Sequence, residues 1–199
     1  MYQFTPGYLN SYRTGKLSAK ISEARHILKS CTLCPRQCFV NRLADETGHC
    51  NTGKNAVVAC FNPHFGEEKP LAGLGGSGTI FFSSCSLGCS FCQNYDISHW
   101  KHGDEVSQTG LAKLMLTLQS HGCHNINFVT PTHVVPQILA AIPDAIERGL
   151  NIPLIYNSSG YDSVETLRLL NGIIDIYMPD FKFWSSKIAK ETCNAPDYP

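Results

Sequence analysis

The sequence predicts an α/β protein in which a cysteine-rich N-terminal segment precedes an incomplete βα barrel. From Thr79 onward, strand-like and helix-like segments alternate along the chain, and repeated βα units indicate a parallel sheet with right-handed crossovers. Polar residues follow each predicted strand, which is where βα barrels gather their chemistry. We therefore divide the 199-residue chain into an N-terminal part, residues 1–78, and a barrel part, residues 79–199.

Hydrophobic runs and helical periodicity predict the elements of both parts. In the barrel part, strands are predicted at 79–83, 126–130, 152–156 and 173–178, and helices at 107–121, 134–148, 162–170 and 186–192. Pro136 suits the first turn of the helix at 134–148, whereas Pro143 is expected to kink or break it. In the N-terminal part, a helix is predicted at 17–30 and a strand at 56–61, which Asn62-Pro63 should end.

Composition limits the classes of function. The chain carries 16 basic and 16 acidic side chains, for a formal net charge of zero, which argues against a nucleic-acid partner. No apolar run approaches the roughly 20 residues that span a bilayer, so no membrane association is predicted. Residues 1–10 lack the layout of a signal peptide. Ten cysteines without an export signal favour metal ligation over disulfides, and hence a reducing, cytoplasmic location.

The densest cysteine group follows the strand predicted at 79–83. Its members are spaced C-x3-C-x2-C: Cys85, Cys89 and Cys92. Three thiolates from one short loop suit an inorganic cluster, and a [4Fe–4S] cube with only three local thiolates leaves one iron open to an exogenous ligand. The alternatives are a zinc knuckle or three unrelated buried thiols, although zinc sites more commonly use C-x2-C pairs.

This stretch resembles the signature of the radical SAM superfamily, including the aromatic Phe91 and the polar pair Gln93-Asn94. The run Asp180-Phe181-Lys182 and residues 157–161 are similar to elements after the fourth and third strands of activating enzymes of glycyl radical enzymes. Thr130-Pro131-Thr132 departs from those enzymes, which carry Gly-Gly-Glu there. From residue 31 to residue 182, the chain resembles an uncharacterised branch of pyruvate formate-lyase activating enzyme homologues.

The resemblance implies a radical SAM (TIM-like) barrel of six βα units, of which this chain holds about four, so we expect a partial (βα)6 barrel. It implies a [4Fe–4S] cluster that binds S-adenosylmethionine and cleaves it reductively to a 5′-deoxyadenosyl radical, with flavodoxin or ferredoxin as electron donor. Activation of a glycyl radical enzyme is the leading interpretation. Radical chemistry on a small molecule or another target, and an iron–sulfur electron-transfer module without S-adenosylmethionine turnover, remain open.

The polar residues after the strands are expected to line a pocket for S-adenosylmethionine. Threonine hydroxyls after the second predicted strand suit its ammonium, side chains after the third suit its ribose, and backbone near the cysteine loop suits its adenine. The predicted cofactor-binding residues are Phe91, Asn94, Thr130, Thr132, Asn157, Ser159, Asp180 and Lys182.

Three residues are predicted to take part in the chemistry. Lys182 is expected to pair with the carboxylate of S-adenosylmethionine or with a substrate. Asp180 is expected to meet the sulfonium, the ribose or a nearby cation. His133 is predicted to donate a proton or bind substrate, and the alternative is that it caps a helix or is a satisfied polar group.

A second cysteine group lies in the N-terminal part. It has the pattern C-x2-C-x3-C-x11-C and consists of Cys31, Cys34, Cys38 and Cys50. Four such ligands can close a tetrahedral site, and we predict either structural zinc or an auxiliary iron–sulfur cluster. His49 could replace one of the cysteines as a ligand. The alternative to a metal site is a reduced, cysteine-rich loop that binds no metal. The remaining cysteines are expected to be small core residues: Cys60, Cys123 and Cys193.

Overall fold

A six-stranded mixed sheet forms the centre of the protein. The computed structural model describes residues 4–198; the predicted parts 1–78 and 79–199 also include residues 1–3 and 199, which lie outside the described residues. The strands are β1 (Ala56–His64), β2 (Ser77–Phe82), β3 (Asp104–Val106), β4 (Ile126–Val129), β5 (Leu154–Ser158) and β6 (Ile176–Pro179). Their order across the sheet is β3-β1-β2-β4-β5-β6.

Eight α-helices accompany the sheet within residues 4–198. They are α1 (Gly7–Arg13), α2 (Lys16–Ile27), α3 (Lys69–Ala72), α4 (Tyr95–Trp100), α5 (Gln108–Ser120), α6 (Val135–Glu147), α7 (Val164–Leu170) and α8 (Ser186–Cys193). Helices α5 and α6 pack side by side, and α2 lies against α6. In this described range, no helix combines the length and the apolar character that crossing a membrane requires.

Strands β2, β4, β5 and β6 run parallel, and their register places Ile80 opposite Phe128 and Phe128 opposite Tyr156. These three side chains are buried, as expected of parallel strands covered by helices. The prediction of an α/β protein with a parallel sheet is therefore confirmed. The observed sheet is open, with β3 and β6 at its edges, so the described residues form a mixed sheet and do not show a barrel.

Two elements continue through prolines that were expected to end or bend them. Strand β1 extends through Asn62 and Pro63 to His64. Its pairing with β3 covers only Ala56–Val58, so Pro63 lies at a sheet edge, where proline is tolerated. Of the two outcomes expected at Pro143, a kink or a break, the break does not occur, because helix α6 runs past Pro143 to Glu147. Its buried apolar face is extensive, and this packing outweighs the missing backbone hydrogen bond.

The N-terminal part and the barrel part share one sheet. Strand β1 pairs antiparallel with β2, and the predicted boundary at residue 78 falls inside β2. The N-terminal helix α1 also reaches the far side of the sheet. The Gly7 amide donates to Asp175 Oδ1 at 2.8 Å, and the Tyr8 hydroxyl donates to the Ile152 carbonyl at 2.9 Å. These contacts hold α1 against the segments that lead into β5 and β6.

Candidate functional site

The loop that carries the first cysteine group leaves the carboxyl end of β2 and enters α4. Leu87 anchors it, because this side chain is fully buried against Tyr161 and Phe183 in an apolar cluster separate from the main core. The Leu87 amide donates to Cys85 Sγ at 3.3 Å, and the Ser84 amide donates to the Ile97 carbonyl at 2.9 Å. The chain around the cysteines is therefore held by local contacts.

The three cysteines of this loop line one cavity of about 430 Å³, beyond the carboxyl ends of the parallel strands. That volume lies in the range of about 300–1,000 Å³ that is usual for small-molecule sites. The other side chains around the cavity are Phe91, Gln93, Asn94, Ser98, Val129, Thr130, Asn157, Ser159, Asp180 and Lys182. The structure thus brings together every predicted cofactor-binding residue except Thr132.

An ion pair lies at one wall of this cavity. Lys182 Nζ is 2.6 Å from Asp180 Oδ2. Burial by itself favours the neutral amine, but the hydrogen bond and the charge of Asp180 outweigh it and raise the pKa of Lys182 above its ordinary value. Lys182 therefore remains charged at neutral pH, and its charge acts on Cys85 and Cys89. Burial nevertheless raises the pKa of both thiols, and the charge of Lys182 opposes this effect only in part. The charged Lys182 therefore favours an anionic ligand in the cavity.

The strand ends contribute neutral polar groups. The Thr130 amide donates to the Asn157 carbonyl at 2.8 Å, and Thr130 has a φ of +53°, in the left-handed region that residues other than glycine rarely adopt. Ser159 is buried, and its Oγ has no hydrogen-bond partner within the described residues. A buried hydroxyl without a partner indicates a position for a ligand group or a water molecule.

Two predicted site residues do not line this cavity. Thr132 is fully buried and its hydroxyl donates to Asp162 Oδ1 at 2.7 Å. His133 is 1% exposed, and its Nε2 lies 2.9 Å from the Ser83 carbonyl, so Nε2 carries the proton. Burial lowers the pKa of His133 to about 4, so the imidazole is neutral at physiological pH. His133 positions the backbone before the cysteine loop instead of facing the cavity.

Two residues near the cavity were not predicted as part of a site. The Tyr198 hydroxyl lies 2.9 Å from the Ser159 carbonyl and 3.0 Å from the Asp180 carbonyl, and it accepts the Lys182 amide at 2.9 Å. Cys193 is buried, as expected, but it lies beside Cys89. Burial and the neighbouring Cys193 thiol raise the pKa of the Cys89 thiol to about 12. No local pattern marks either residue, because both contacts join positions far apart in sequence.

The second cysteine group also forms a cluster. Its four members line a much smaller cavity, of about 10 Å³, together with Arg36, Arg42, His49, Ser86 and His133. The pKa of the Cys34 thiol is raised to about 12, mainly by burial and also by the other three cysteines. Ser86 belongs to the loop of the first cysteine group, so the two groups are neighbours in the fold.

All ten cysteines are free of disulfides. Cys123 and Cys193 are buried as expected, but Cys60 is exposed, so the expectation that it is a core residue is wrong. Among residues 4–198, no three or more His, Cys, Asp or Glu side chains are already arranged as a metal-binding centre. Burial keeps the metal-free thiols of Cys34 and Cys89 protonated. Each of these thiols must lose its proton when a metal binds.

No protein family model matches the chain. It is similar to "uncharacterized protein MJ0674" of Methanocaldococcus jannaschii, with 33% identity over 191 residues, covering 92% of this chain and 54% of the relative. The chain therefore spans about half the length of the curated relative that it matches. The name of that relative assigns no activity, so the function of this chain has to be argued from its own site.

Proposed function

We propose that this protein is a radical SAM enzyme whose three-cysteine loop binds a [4Fe–4S] cluster. The observation that carries the proposal is the single cavity of about 430 Å³ in which all three thiols meet polar groups from the ends of three parallel strands. Three thiols leave one iron of a cube without a protein ligand. Such a cluster, when bound and reduced, supplies the electron that cleaves S-adenosylmethionine to methionine and a 5′-deoxyadenosyl radical.

The donor set and its surroundings fit the cluster. Burial raises the pKa of Cys85 and Cys89, and the positive charge of Lys182 partly offsets this effect and would help to stabilise their thiolates once a cluster binds. The Leu87 amide, 3.3 Å from Cys85 Sγ, is a hydrogen-bond donor to the same sulfur. The volume left beyond the thiols is large enough for a small-molecule ligand.

The remaining residues of the cavity would bind and orient that ligand. Lys182 is a partner for a carboxylate, and Asp180, which already accepts from Lys182, is a partner for an ammonium or ribose hydroxyl. The unpartnered Ser159 hydroxyl is available for a polar group, and Thr130 and Asn157 lie beside it. The four parallel strands would then be part of a (βα)6 barrel, and the free thiols suit a reducing compartment, the cytoplasm.

A protein substrate suits the rim of the cavity. Phe91 lines the cavity and is 55% exposed, and Phe181 and Trp184, which contact each other after β6, are 74% and 85% exposed. Exposed aromatic side chains near a site favour a macromolecular partner. We therefore favour activation of a partner enzyme through a glycyl radical over chemistry on a small molecule. The electron would come from a flavodoxin or ferredoxin.

A second candidate function is electron transfer without S-adenosylmethionine. The position of Cys193 favours it, because this buried thiol lies in the same apolar cluster as Cys89. A fourth thiol at this place could complete a [4Fe–4S] cluster and leave no iron open. The two functions differ in one feature, which is whether the fourth ligand comes from the protein or from the cosubstrate.

One experiment separates these functions. The protein is reconstituted anaerobically with iron and sulfide, reduced, and mixed with S-adenosylmethionine, and 5′-deoxyadenosine is measured beside the electron paramagnetic resonance spectrum of the reduced cluster. Cys89→Ala removes a predicted ligand, and Cys60→Ala is the matched control, because Cys60 is exposed on β1. Cys193→Ser tests the fourth thiol.

We expect product from the wild type, Cys60→Ala and Cys193→Ser, and none from Cys89→Ala. We also expect S-adenosylmethionine to change the spectrum of the wild type. A wild type that binds about four irons, shows no spectral change and forms no product would exclude the radical SAM proposal. If, in addition, Cys193→Ser altered the spectrum of the cluster, Cys193 would be its fourth ligand, and electron transfer would become the favoured function.

A further inference from the structure

The four-cysteine group is surrounded by positive charge that has no acidic partner. Arg42 is 1% exposed, its Nη1 donates to the His133 carbonyl at 2.8 Å and lies 3.9 Å from Cys31 Sγ. Arg36 also lines this cavity. Within residues 4–198, the ion pairs involve other residues, and neither arginine has a carboxylate partner. A buried guanidinium without a counter-ion is costly.

Two hydrogen-bond donors at the same cavity also lack acceptors. Arg42 Nη2 and Ser86 Oγ are buried and have no partner within the described part of the chain, and both residues line the four-cysteine cavity. Metal-bound thiolate sulfurs accept N–H and O–H hydrogen bonds and carry negative charge. Four thiolates on a divalent ion have a net charge of about −2, which would balance Arg36 and Arg42.

The size of the cavity favours a single ion. Its volume is about 10 Å³, close to that of one water-sized sphere, whereas the three-cysteine cavity has about 430 Å³. The chain also approaches Cys38 closely, because a Cβ at Gly48 would lie 2.6 Å from Cys38 Sγ. A small site lined by four cysteines, with space for one ion, is typical of structural zinc.

Arg36 connects this group to the loop of the first cysteine group. Its guanidinium donates to the Ser86 carbonyl at 3.1 Å and to the Leu87 carbonyl at 2.9 Å, which lie between Cys85 and Cys89 in sequence. The same guanidinium donates to the Cys193 carbonyl at 2.6 Å and lies over the Tyr161 ring, 5.2 Å from its centroid.

A second connection runs through Arg42. This side chain donates to the His133 carbonyl, and the His133 ring donates to the Ser83 carbonyl at 2.9 Å. Ser83 is the residue between β2 and the three-cysteine loop. Segment 83–88 is therefore held directly by Arg36, at Ser86 and Leu87, and indirectly by Arg42, through His133 at Ser83.

We propose that Cys31, Cys34, Cys38 and Cys50 bind one zinc ion whose negative thiolate shell orders Arg36 and Arg42, and that these two arginines position the three-cysteine loop. The zinc ion is a structural element and takes no part in electron transfer. Loss of zinc would leave two unbalanced guanidinium groups beside segment 83–88 and loosen it. The role of the two arginines in positioning the loop rests on the proposed function only where it concerns the cluster. The order of the loop itself can be measured without S-adenosylmethionine.

The metal is tested first, on a full-length variant with Cys85, Cys89 and Cys92 all changed to Ala. We expect this variant, purified anaerobically, to retain about one zinc ion per chain by mass spectrometry of the metals. Adding the two changes Cys38→Ser and Cys50→Ser to this variant should abolish the bound zinc. Cobalt(II) in place of zinc should give the sulfur-to-metal absorption of a tetrathiolate site. Iron as the metal retained by the four cysteines, or no metal at all, would overturn the zinc assignment.

The coupling is tested by hydrogen exchange of the amides in segment 83–92. Removing zinc from the wild type with a chelator should speed this exchange by about tenfold or more. Arg36→Gln should do the same while zinc content stays unchanged, and it should also alter the spectrum of the reduced, reconstituted cluster. Arg13→Gln, an exposed arginine at the end of α1, is the matched control. Unchanged exchange in Arg36→Gln and in zinc-free protein would refute the coupling.

Arg42 is tested by its effect on zinc affinity. Arg42→Gln should weaken zinc binding by about 10–100-fold, the usual effect of losing a group that supports metal ligands. Arg42→Lys keeps the charge and should restore most of the affinity, which separates the charge effect from a packing defect. Equal zinc affinity in Arg42→Gln and the wild type would contradict the charge argument. Failure to form 5′-deoxyadenosine bears on none of these measurements.

Discussion

At the scale of single residues, the neutral His133 side chain links stability to pH. Its pKa is lowered by burial to about 4, whereas an exposed histidine in the unfolded chain titrates near about 6.5. Between these values the unfolded chain binds a proton that the folded chain does not. The free energy of unfolding should therefore fall as the pH drops from about 6.5 to about 4, by up to about 3 kcal/mol.

His133→Gln should remove this part of the pH dependence. Glutamine can still donate to the Ser83 carbonyl but does not titrate. The variant should therefore lose less stability than the wild type as the pH falls below about 6.5. Urea unfolding at intervals from pH 4 to pH 7 measures the difference. His26→Gln, on the exposed side of α2, is the control. Identical pH slopes for His133→Gln and the wild type would show that burial of His133 has no effect on its titration.

The residues around the candidate site could be predicted where they follow a strand directly. Thr130, Asn157 and Lys182 were expected on this basis and do line the cavity. Thr132 and His133 do not line the cavity, because a short 3-10 helix from Thr132 to Val134 turns both side chains into the interior. For His133 this matches the alternative of a satisfied polar group. Sequence places the strand end, but one tight turn decides which side chain faces the pocket.

At the scale of elements, Tyr198 joins the ends of β5 and β6. Its hydroxyl lies within 3.0 Å of the Ser159 and Asp180 carbonyls and of the Lys182 amide. Tyr198→Phe should lower the free energy of unfolding by about 1 kcal/mol, the usual net value of a hydrogen bond, and should weaken ligand binding at Asp180 and Lys182. Urea unfolding measures the first effect and ligand titration the second.

Tyr177→Phe is the matched control for this change. Tyr177 lies on β6, and its hydroxyl makes no hydrogen bond within residues 4–198. Its loss should leave stability and ligand binding close to wild type. Equal effects of the two substitutions would mean that the Tyr198 hydroxyl does not hold the strand ends together.

Most elements could be predicted, because they follow simple periodicities. The buried face of α5, with Leu111, Met115 and Leu118, follows the helical repeat. Strand β3 was missed because its three residues, Asp104–Val106, are too few for a pattern and are mainly exposed. It forms only by pairing with β1. The course of α6 past Pro143 likewise depends on tertiary packing, which local propensity cannot show.

At the scale of the whole molecule, one sheet unites two parts that the sequence suggests are distinct. The cysteine-rich segment and the alternating βα units differ in composition, so a boundary near residue 78 is a reasonable prediction. Antiparallel pairing of β1 with β2 is a long-range contact with no local signal. The same is true of the contacts of Gly7 and Tyr8 with the sheet.

This shared sheet predicts that the chain unfolds as one cooperative unit. Amides of β1, in the N-terminal part, should exchange with solvent through the same opening as amides of β4, with opening free energies within about 1 kcal/mol of each other. Native-state hydrogen exchange at increasing denaturant measures both strands in one sample. The short edge strand β3 serves as the internal reference and should exchange faster, because it pairs only with Ala56–Val58. If β1 opened more easily than β4 by over about 2 kcal/mol, residues 1–78 would form a separate folding unit.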